Sequence, residues 1–128
     1  MKKSGILNPA LMHLLTSMGH TDYITVCDQG FPVPQEQTRV DLALVSGIPT
    51  VLDVLRAIAG EFIIDRVVIT QEMREVSPGR VREIEALLPG ILLETVSHLE
   101  LKSLAKSGKG VVRTADACPY ANILVVSG

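Results

Sequence analysis

Apolar residues recur at helical spacing in four stretches of the chain. The first stretch begins at Asn8-Pro9 and another at Ser77-Pro78, where a capping residue precedes a proline that suits the first helical position. A further start is indicated by Ser97 with Glu100 three residues later, the pattern of a capping box. The predicted helices cover residues 9–19, 51–59, 77–88 and 97–108.

Between these stretches lie short runs rich in β-branched residues and bounded by Gly, Pro, Asp or Ser. The predicted strands cover residues 23–27, 40–45, 63–70, 91–96, 111–114 and 121–127. Strands that alternate with helices favour an α/β fold, whereas the helix-free connections between the first two and the last two strands favour a mixed sheet. The chain is therefore predicted to form a single layered α/β/α domain over residues 1–128, with a mixed β-sheet of about six strands.

Composition narrows the function classes. Of 128 residues, 47% are apolar and 20% charged, which can fill a core and excludes a disordered chain. The formal net charge of −2 and the lack of a basic block make nucleic acid an unexpected partner. No apolar run approaches the length of a membrane span, and Asn8, Pro9 and His13 interrupt any secretion signal, so a cytoplasmic protein with no membrane partner is expected.

The usual signatures of metal and cofactor sites are missing. No pair of His or Cys residues has the short spacing of a zinc site, and Cys27 and Cys118 are expected to be free thiols. The run Lys106–Gly110 lacks the spacing of a phosphate-binding loop, and neither G-x-G-x-x-G nor G-x-S-x-G occurs. Neither a metal nor another cofactor is predicted.

Candidate chemistry is confined to polar residues at the ends of predicted elements, where ligand groups gather in α/β folds. They are His20, Asp28, the pair His98 and Lys102 on one helix face, Tyr120 and Asn122. Each also has a structural explanation: a helix C-cap for His20, turn chemistry for Asp28, a solvated helix edge for the His98 pair, and a core aromatic for Tyr120. The residues alone predict a polar site with a possible histidine acid or base.

Five segments resemble the D-ribose pyranase family across nearly the whole chain. They are Gly-His-Thr-Asp at 19–22, Val-Cys-Asp-Gln-Gly-Phe-Pro-Val-Pro at 26–34, Thr-Arg-Val-Asp-Leu-Ala-Leu at 38–44, His98-x-x-x-Lys102, and Pro-Tyr-Ala-Asn-Ile-Leu at 119–124. The resemblance implies a cofactor-free mutarotase that interconverts the pyranose and furanose forms of D-ribose. It further implies a ring-shaped homo-oligomer, a decamer or octamer, with the site near a subunit boundary.

The same resemblance assigns roles to individual residues. His20 is implied as the catalytic acid, and the residues implied to line the sugar site are Asp28, His98, Lys102, Tyr120, Ala121 and Asn122. One departure is Ala115-Asp116, where the family tends to have a Gly-Glu pair, so the resemblance does not fix the loop that leads into Tyr120. Two alternatives stay open, an L-fucose mutarotase and a non-catalytic sugar-binding subunit.

Overall fold

The computed structural model describes residues 1–128 as one six-stranded sheet with five helices. In chain order the elements are α1 Pro9–Thr16, β1 Tyr23–Cys27, β2 Arg39–Asp41, α2 Val51–Ala59, β3 Ile64–Thr70, α3 Gln71–Val76, α4 Pro78–Leu87, β4 Leu92–Val96, α5 His98–Leu104, β5 Val111–Arg113 and β6 Ile123–Ser127. The predicted α/β class with a mixed sheet is confirmed.

Side chains just before the helices satisfy the first free backbone N–H groups. Asn8 Oδ1 accepts from the Leu11 N–H at 2.9 Å, which caps α1 ahead of Pro9. At α5, Ser97 Oγ accepts from the Glu100 N–H at 3.0 Å, one of the two bonds of the predicted capping box. The predicted caps are thus present at α1 and α5. The predicted cap at Ser77 was wrong, because the Ser77 hydroxyl donates to the Pro119 carbonyl and makes no cap bond to α4.

The strand order β2-β5-β1-β6-β3-β4 gives the sheet a simple polarity. Only β6 runs against its neighbours β1 and β3, and the pairs β1 with β5, β2 with β5, and β3 with β4 are parallel. Five strands thus end at one edge of the sheet, the same edge at which β6 begins. We call this edge the carboxyl edge, and the opposite one the amino edge.

The two faces of the sheet are covered unequally. One face packs against α1, α2, α3 and α4 in a core of 20 buried residues, among them Leu15, Leu55, Ile58, Met73 and Ile84. The other face carries α5 and the segment around Phe31 over a core of eight buried residues. Alternating strand residues serve the two faces, as Val67 and Val68 do in β3. The layered α/β/α arrangement is present, with a single short helix as its thinner layer.

Two local expectations were wrong. The second strand is Arg39–Asp41 and does not extend through residues 40–45, because Asp41 Oδ1 accepts from the Ala43 N–H at 3.1 Å and turns the chain away from the sheet. Helix α3 was not predicted. Its cap is the last residue of β3, since Thr70 Oγ accepts from the Met73 N–H at 3.0 Å, and six residues are too few to show helical periodicity.

The other elements lie at their predicted positions: β1 and α2 have the predicted bounds, and the rest are shorter than predicted. Helix α1 ends at Thr16 before the expected stop at Gly19, and the hydroxyl groups of Thr16 and Ser17 each donate to a helix carbonyl at 2.7 Å. Helix α5 ends at Leu104, and the chain turns at Gly108, whose φ of +83° favours glycine. None of the helices combines the length and apolar character needed to cross a bilayer.

Candidate active site

The carboxyl edge brings together residues that follow β1 and β4 and those that precede β6. They surround a cavity of about 290 Å³, near the lower end of the size range of small-molecule sites. Its lining consists of Asp28, Gly30, Phe31, Pro32, His98, Lys102, Pro119, Tyr120 and Asn122. Five of the seven site residues predicted from the sequence therefore meet in one pocket.

Asp28 and Asn122 form the floor of the pocket. The Asp28 N–H donates to Asn122 Oδ1 at 2.8 Å, and the Gly30 N–H donates to Asp28 Oδ1 at 3.1 Å. Asn122 is only 2% exposed, so its amide is fixed in place while Asp28 faces the cavity. Burial raises the pKa of the Asp28 carboxyl above its ordinary value, although hydrogen bonds from Gly30, Asn122 and Phe31 offset part of this effect.

His98 and Lys102 come from the first turns of α5. The His98 N–H donates to the Glu72 carboxylate at 3.0 Å, which ties the start of α5 to α3. The His98 ring meets Tyr120 and Phe31 edge to face, with ring centroids 5.2 and 6.4 Å apart. Its Nδ1 is buried without a hydrogen-bond partner, whereas the ring lines the cavity, so the ring is held mainly by packing.

Tyr120 and Ala121 show how the last strand enters the site. Tyr120 has a φ of 56°, a left-handed backbone that is uncommon for a residue other than glycine. The Ser77 hydroxyl holds the preceding turn by donating to the Pro119 carbonyl at 2.7 Å. The Ala121 side chain is fully buried in the larger core and does not line the cavity. Only the main chain of Ala121 is left for the predicted sugar contact.

His20 lies away from this pocket. The Thr21 N–H donates to the carbonyl of Ser127 at 2.9 Å, and Ser127 is the last residue of β6, whereas Asn122 precedes its first. The five residues of β6 put about 16 Å between these two positions, at roughly 3.3 Å per residue. His20 is therefore exposed at the amino edge, and the structure does not bring it to the other predicted site residues of the same chain.

Sequence reasoning missed several residues that shape the site. Phe31, Pro32 and Pro119 line the cavity, and Glu72 fixes the start of α5. The first three lie in segments that carry the family resemblance, which was the available signal. Glu72 had none, because its helix was not predicted. Asp116 was noted only as a departure from the family pattern, yet it is 2% exposed and hydrogen-bonded to several segments around the pocket.

The described residues form no cluster of three or more His, Cys, Asp or Glu side chains that could hold a metal ion. Both cysteines are free thiols, as expected. Cys27 is buried in β1, and burial raises the pKa of its thiol to about 12, which makes it a poor nucleophile. The chemistry available at the pocket is therefore that of a carboxyl, an imidazole, an ammonium, a phenol and an amide.

The chain is similar to known proteins over its full length. The family model described as "RbsD / FucU transport protein family" matches residues 1–128. The D-ribose pyranase of Geobacillus kaustophilus is 45% identical over 128 residues, which cover 100% of this chain and 94% of that protein. The D-ribose pyranase of Clostridium botulinum is 41% identical over 128 residues, with 100% and 98% covered.

The similar solved structures include proteins named in the description of that family. Bacillus subtilis RbsD complexed with D-ribose is 37% identical and superposes with a TM-score of 0.94, covering 100% of this chain and 98% of that one. The fucose mutarotase of Streptococcus pneumoniae in complex with L-fucose superposes with a TM-score of 0.80 at 18% identity, covering 100% and 98%. At that identity the second similarity concerns the fold alone.

Proposed function

The chain belongs to the RbsD / FucU transport protein family, and we propose that it is a D-ribose pyranase, an isomerase that interconverts the pyranose and furanose forms of D-ribose. The observation that carries the proposal is the pocket at the carboxyl edge, in a chain that superposes closely on a protein solved with D-ribose. Its side chains supply the donors and acceptors that sugar hydroxyl groups require.

The reaction consists of proton transfers around one carbon atom. Ring opening removes a proton from the anomeric hydroxyl, adds one to the ring oxygen and breaks the bond between that oxygen and the anomeric carbon. The open-chain aldehyde then recloses when a different hydroxyl attacks the same carbon, loses its proton, and the carbonyl oxygen gains one. No electrons enter or leave, so the reaction needs acid–base groups and positioning but no redox cofactor.

In this proposal the pocket residues hold the sugar. Asp28 and the Asn122 amide accept and donate hydrogen bonds on one side, and the Tyr120 hydroxyl does so on the other. The Lys102 ammonium, one helical turn after His98, places positive charge beside oxygen atoms on which negative charge develops. His98 closes the pocket between two aromatic rings.

His20 is the proposed catalytic acid, and it reaches the sugar from a second copy of the chain. Because His20 and the pocket lie at opposite edges of one sheet, a shared site requires the amino edge of one subunit to meet the carboxyl edge of the next. A head-to-tail contact between identical chains forms a closed ring when the rotation from one subunit to the next is a whole fraction of a turn. We propose a ring of eight or ten subunits with the site at each subunit boundary. A cytoplasmic location is in keeping with the two free thiols.

The test is ring-form exchange of D-ribose, measured by NMR with and without the protein. We expect the protein to accelerate exchange between pyranose and furanose forms well above the rate in buffer. His13→Ala, a change at an exposed histidine of α1, serves as a control and leaves the rate unchanged. Faster exchange of L-fucose than of D-ribose would favour the fucose alternative, and saturable binding without faster exchange would favour a sugar-binding subunit.

A further inference from the structure

A single buried residue, Asp116, joins four segments around the pocket, three through its carboxylate and one through its main-chain carbonyl. Asp116 Oδ2 accepts from Arg80 at 2.6 Å and from the Val51 N–H at 2.9 Å, and Oδ1 accepts from the Cys118 N–H at 2.9 Å. The carbonyl of Asp116 accepts from the Gln29 N–H at 3.0 Å. Asp116 thus contacts α4, the start of α2, the loop after β1 and the segment that leads into β6.

Two of these contacts lie next to the residues of the sugar pocket. Gln29 directly follows Asp28, and Cys118 is followed by Pro119 and Tyr120. The left-handed backbone of Tyr120 is unfavourable by itself and persists only where its surroundings fix it. The hydrogen bond from Cys118 to Asp116 supplies such a constraint at the start of this short segment.

The charge of Asp116 is balanced by a buried partner. The Arg80 guanidinium is bidentate, with its second nitrogen 3.3 Å from Asp116 Oδ1, and the two side chains are 9% and 3% exposed. Burial alone would raise the pKa of the Asp116 carboxyl, but hydrogen bonds from Arg80, Cys118 and Val51 outweigh it and lower the pKa. The carboxylate is therefore charged, and it keeps all its acceptor positions for these donors.

We propose that Asp116, paired with Arg80, is a positioning residue that sets the spacing between the Asp28 wall and the Tyr120 wall of the pocket. It touches no sugar itself and acts through its side-chain bond to Cys118 and its main-chain bond to Gln29, whose position depends on how the paired side chain holds Asp116. The inference rests on the proposed function, because it assigns the pair to substrate binding. Proton transfer by His20 of a neighbouring subunit is a separate step, so the main effect of the pair falls on the KM for D-ribose.

The test compares Asp116→Asn, Asp116→Glu and Arg80→Lys with the wild-type protein. Asp116→Asn keeps the shape but removes the charge, and we expect it to raise KM by about 10- to 100-fold while kcat changes by less than about threefold. Asp116→Glu keeps the charge and should recover part of the loss. Arg80→Lys keeps the cation without the bidentate geometry and covers the case in which Asp116→Asn fails to fold. Arg56→Met on the exposed face of α2 is the matched control.

A second measurement does not depend on activity. Hydrogen–deuterium exchange should rise in peptides covering residues 28–31 and 117–122 of the variants but stay unchanged in a peptide covering α1. Faster thermal unfolding with unchanged KM and unchanged exchange in these two peptides would overturn the proposal and leave the pair a purely structural one. If the wild-type protein itself fails to accelerate ring-form exchange, the proposed function fails, whereas the exchange of the two peptides still decides whether Asp116 holds both walls.

Discussion

The two edges of the sheet differ in how their residues are held. At the carboxyl edge, side-chain hydrogen bonds link Asp28 to Asn122 and His98 to Glu72, and a buried ion pair lies behind them. At the amino edge, His20 is exposed, and its surroundings are held by the Thr21 N–H and the Asp22 carboxylate. The comparison teaches that one subunit gathers five predicted site residues in one cavity but leaves its proposed acid on a separate, outward-facing surface.

The largest effect is expected from His20→Ala, which tests whether proton transfer and sugar binding belong to different edges of the sheet. If the two edges carry separate tasks, the variant folds, still binds D-ribose and loses about 10²- to 10⁴-fold of the exchange rate, the usual contribution of a general acid–base group. NMR exchange rates and a separate ribose titration measure the two tasks. An unchanged exchange rate in the folded variant removes His20 from the mechanism.

Mixing two inactive variants tests whether the edges belong to different subunits. Asp28→Ala changes only the carboxyl edge, because the hydrogen-bond partners of its carboxylate, Gly30, Asn122 and Phe31, all lie there. Random reassembly of Asp28→Ala with His20→Ala chains should restore about a quarter of the sites, because each intact site then takes one edge from each variant. If the mixture, unfolded and refolded together, recovers no activity while each parent assembles normally, the two edges do not meet across a boundary.

Dilution should separate neighbouring subunits, and so test the contact between the two edges without any mutation. Activity per subunit is expected to fall in step with loss of the large species in light scattering, because a lone chain keeps its pocket but lacks a neighbour's His20. Ribose binding measured on the same dilution series should persist longer than exchange. A monomeric sample with full activity per chain would show that each subunit carries a complete site.

The pH profile sharpens the description of the carboxyl edge. Because burial raises the pKa of the Asp28 carboxyl in the folded chain, we expect its protonation to weaken D-ribose binding already at pH values above about 4, the ordinary pKa of aspartate. Asp28→Asn should remove this acid limb. A raised folded pKa also means that the charged form costs stability near neutral pH, so the variant should unfold at a higher temperature there, with the difference vanishing below the ordinary pKa. An acid limb that survives in Asp28→Asn assigns it to another group.

The smallest expected effect is that of a chelator. Ring opening by proton transfer uses no metal, so dialysis against EDTA should leave the exchange rate within experimental error of the untreated protein. Metal analysis of the active sample accompanies the assay. Activity that is lost on chelation and restored by one divalent ion would contradict this prediction.

The fold was largely predictable because its signals are local. Asn8, Ser97 and Pro78 mark helix starts through hydrogen bonds or backbone geometry within a few residues, and the structure places α1, α5 and α4 there. The errors arose where a side chain further along redirects the backbone, as Asp41 does at the end of β2, or where an element is too short for a period, as in α3. Strand order depends on contacts across the whole chain and was not predicted.

The site was predicted as a set of residues but not as a geometry. Their positions at the ends of predicted elements singled out Asp28, His98, Lys102, Tyr120 and Asn122, and the resemblance gave them roles. The structure brings all five into one pocket. The separation of His20 could have been inferred, since His20 precedes and Asp28 follows the same five-residue strand. The part played by Asp116 could not, because its partners Arg80 and Val51 are 36 and 65 positions away in sequence.

The left-handed backbone of Tyr120 has a counterpart at Thr21, and these are the only two such residues other than glycine. Tyr120 carries a pocket side chain, and Thr21 follows His20. A destabilising backbone conformation is therefore present at both halves of the proposed site. Laboratory evolution for heat resistance alone would therefore favour glycine or asparagine at these two positions. Thermostabilised libraries of this protein should be screened for turnover as well as for thermal stability, because the substitutions that most readily raise the melting temperature lie at the proposed site.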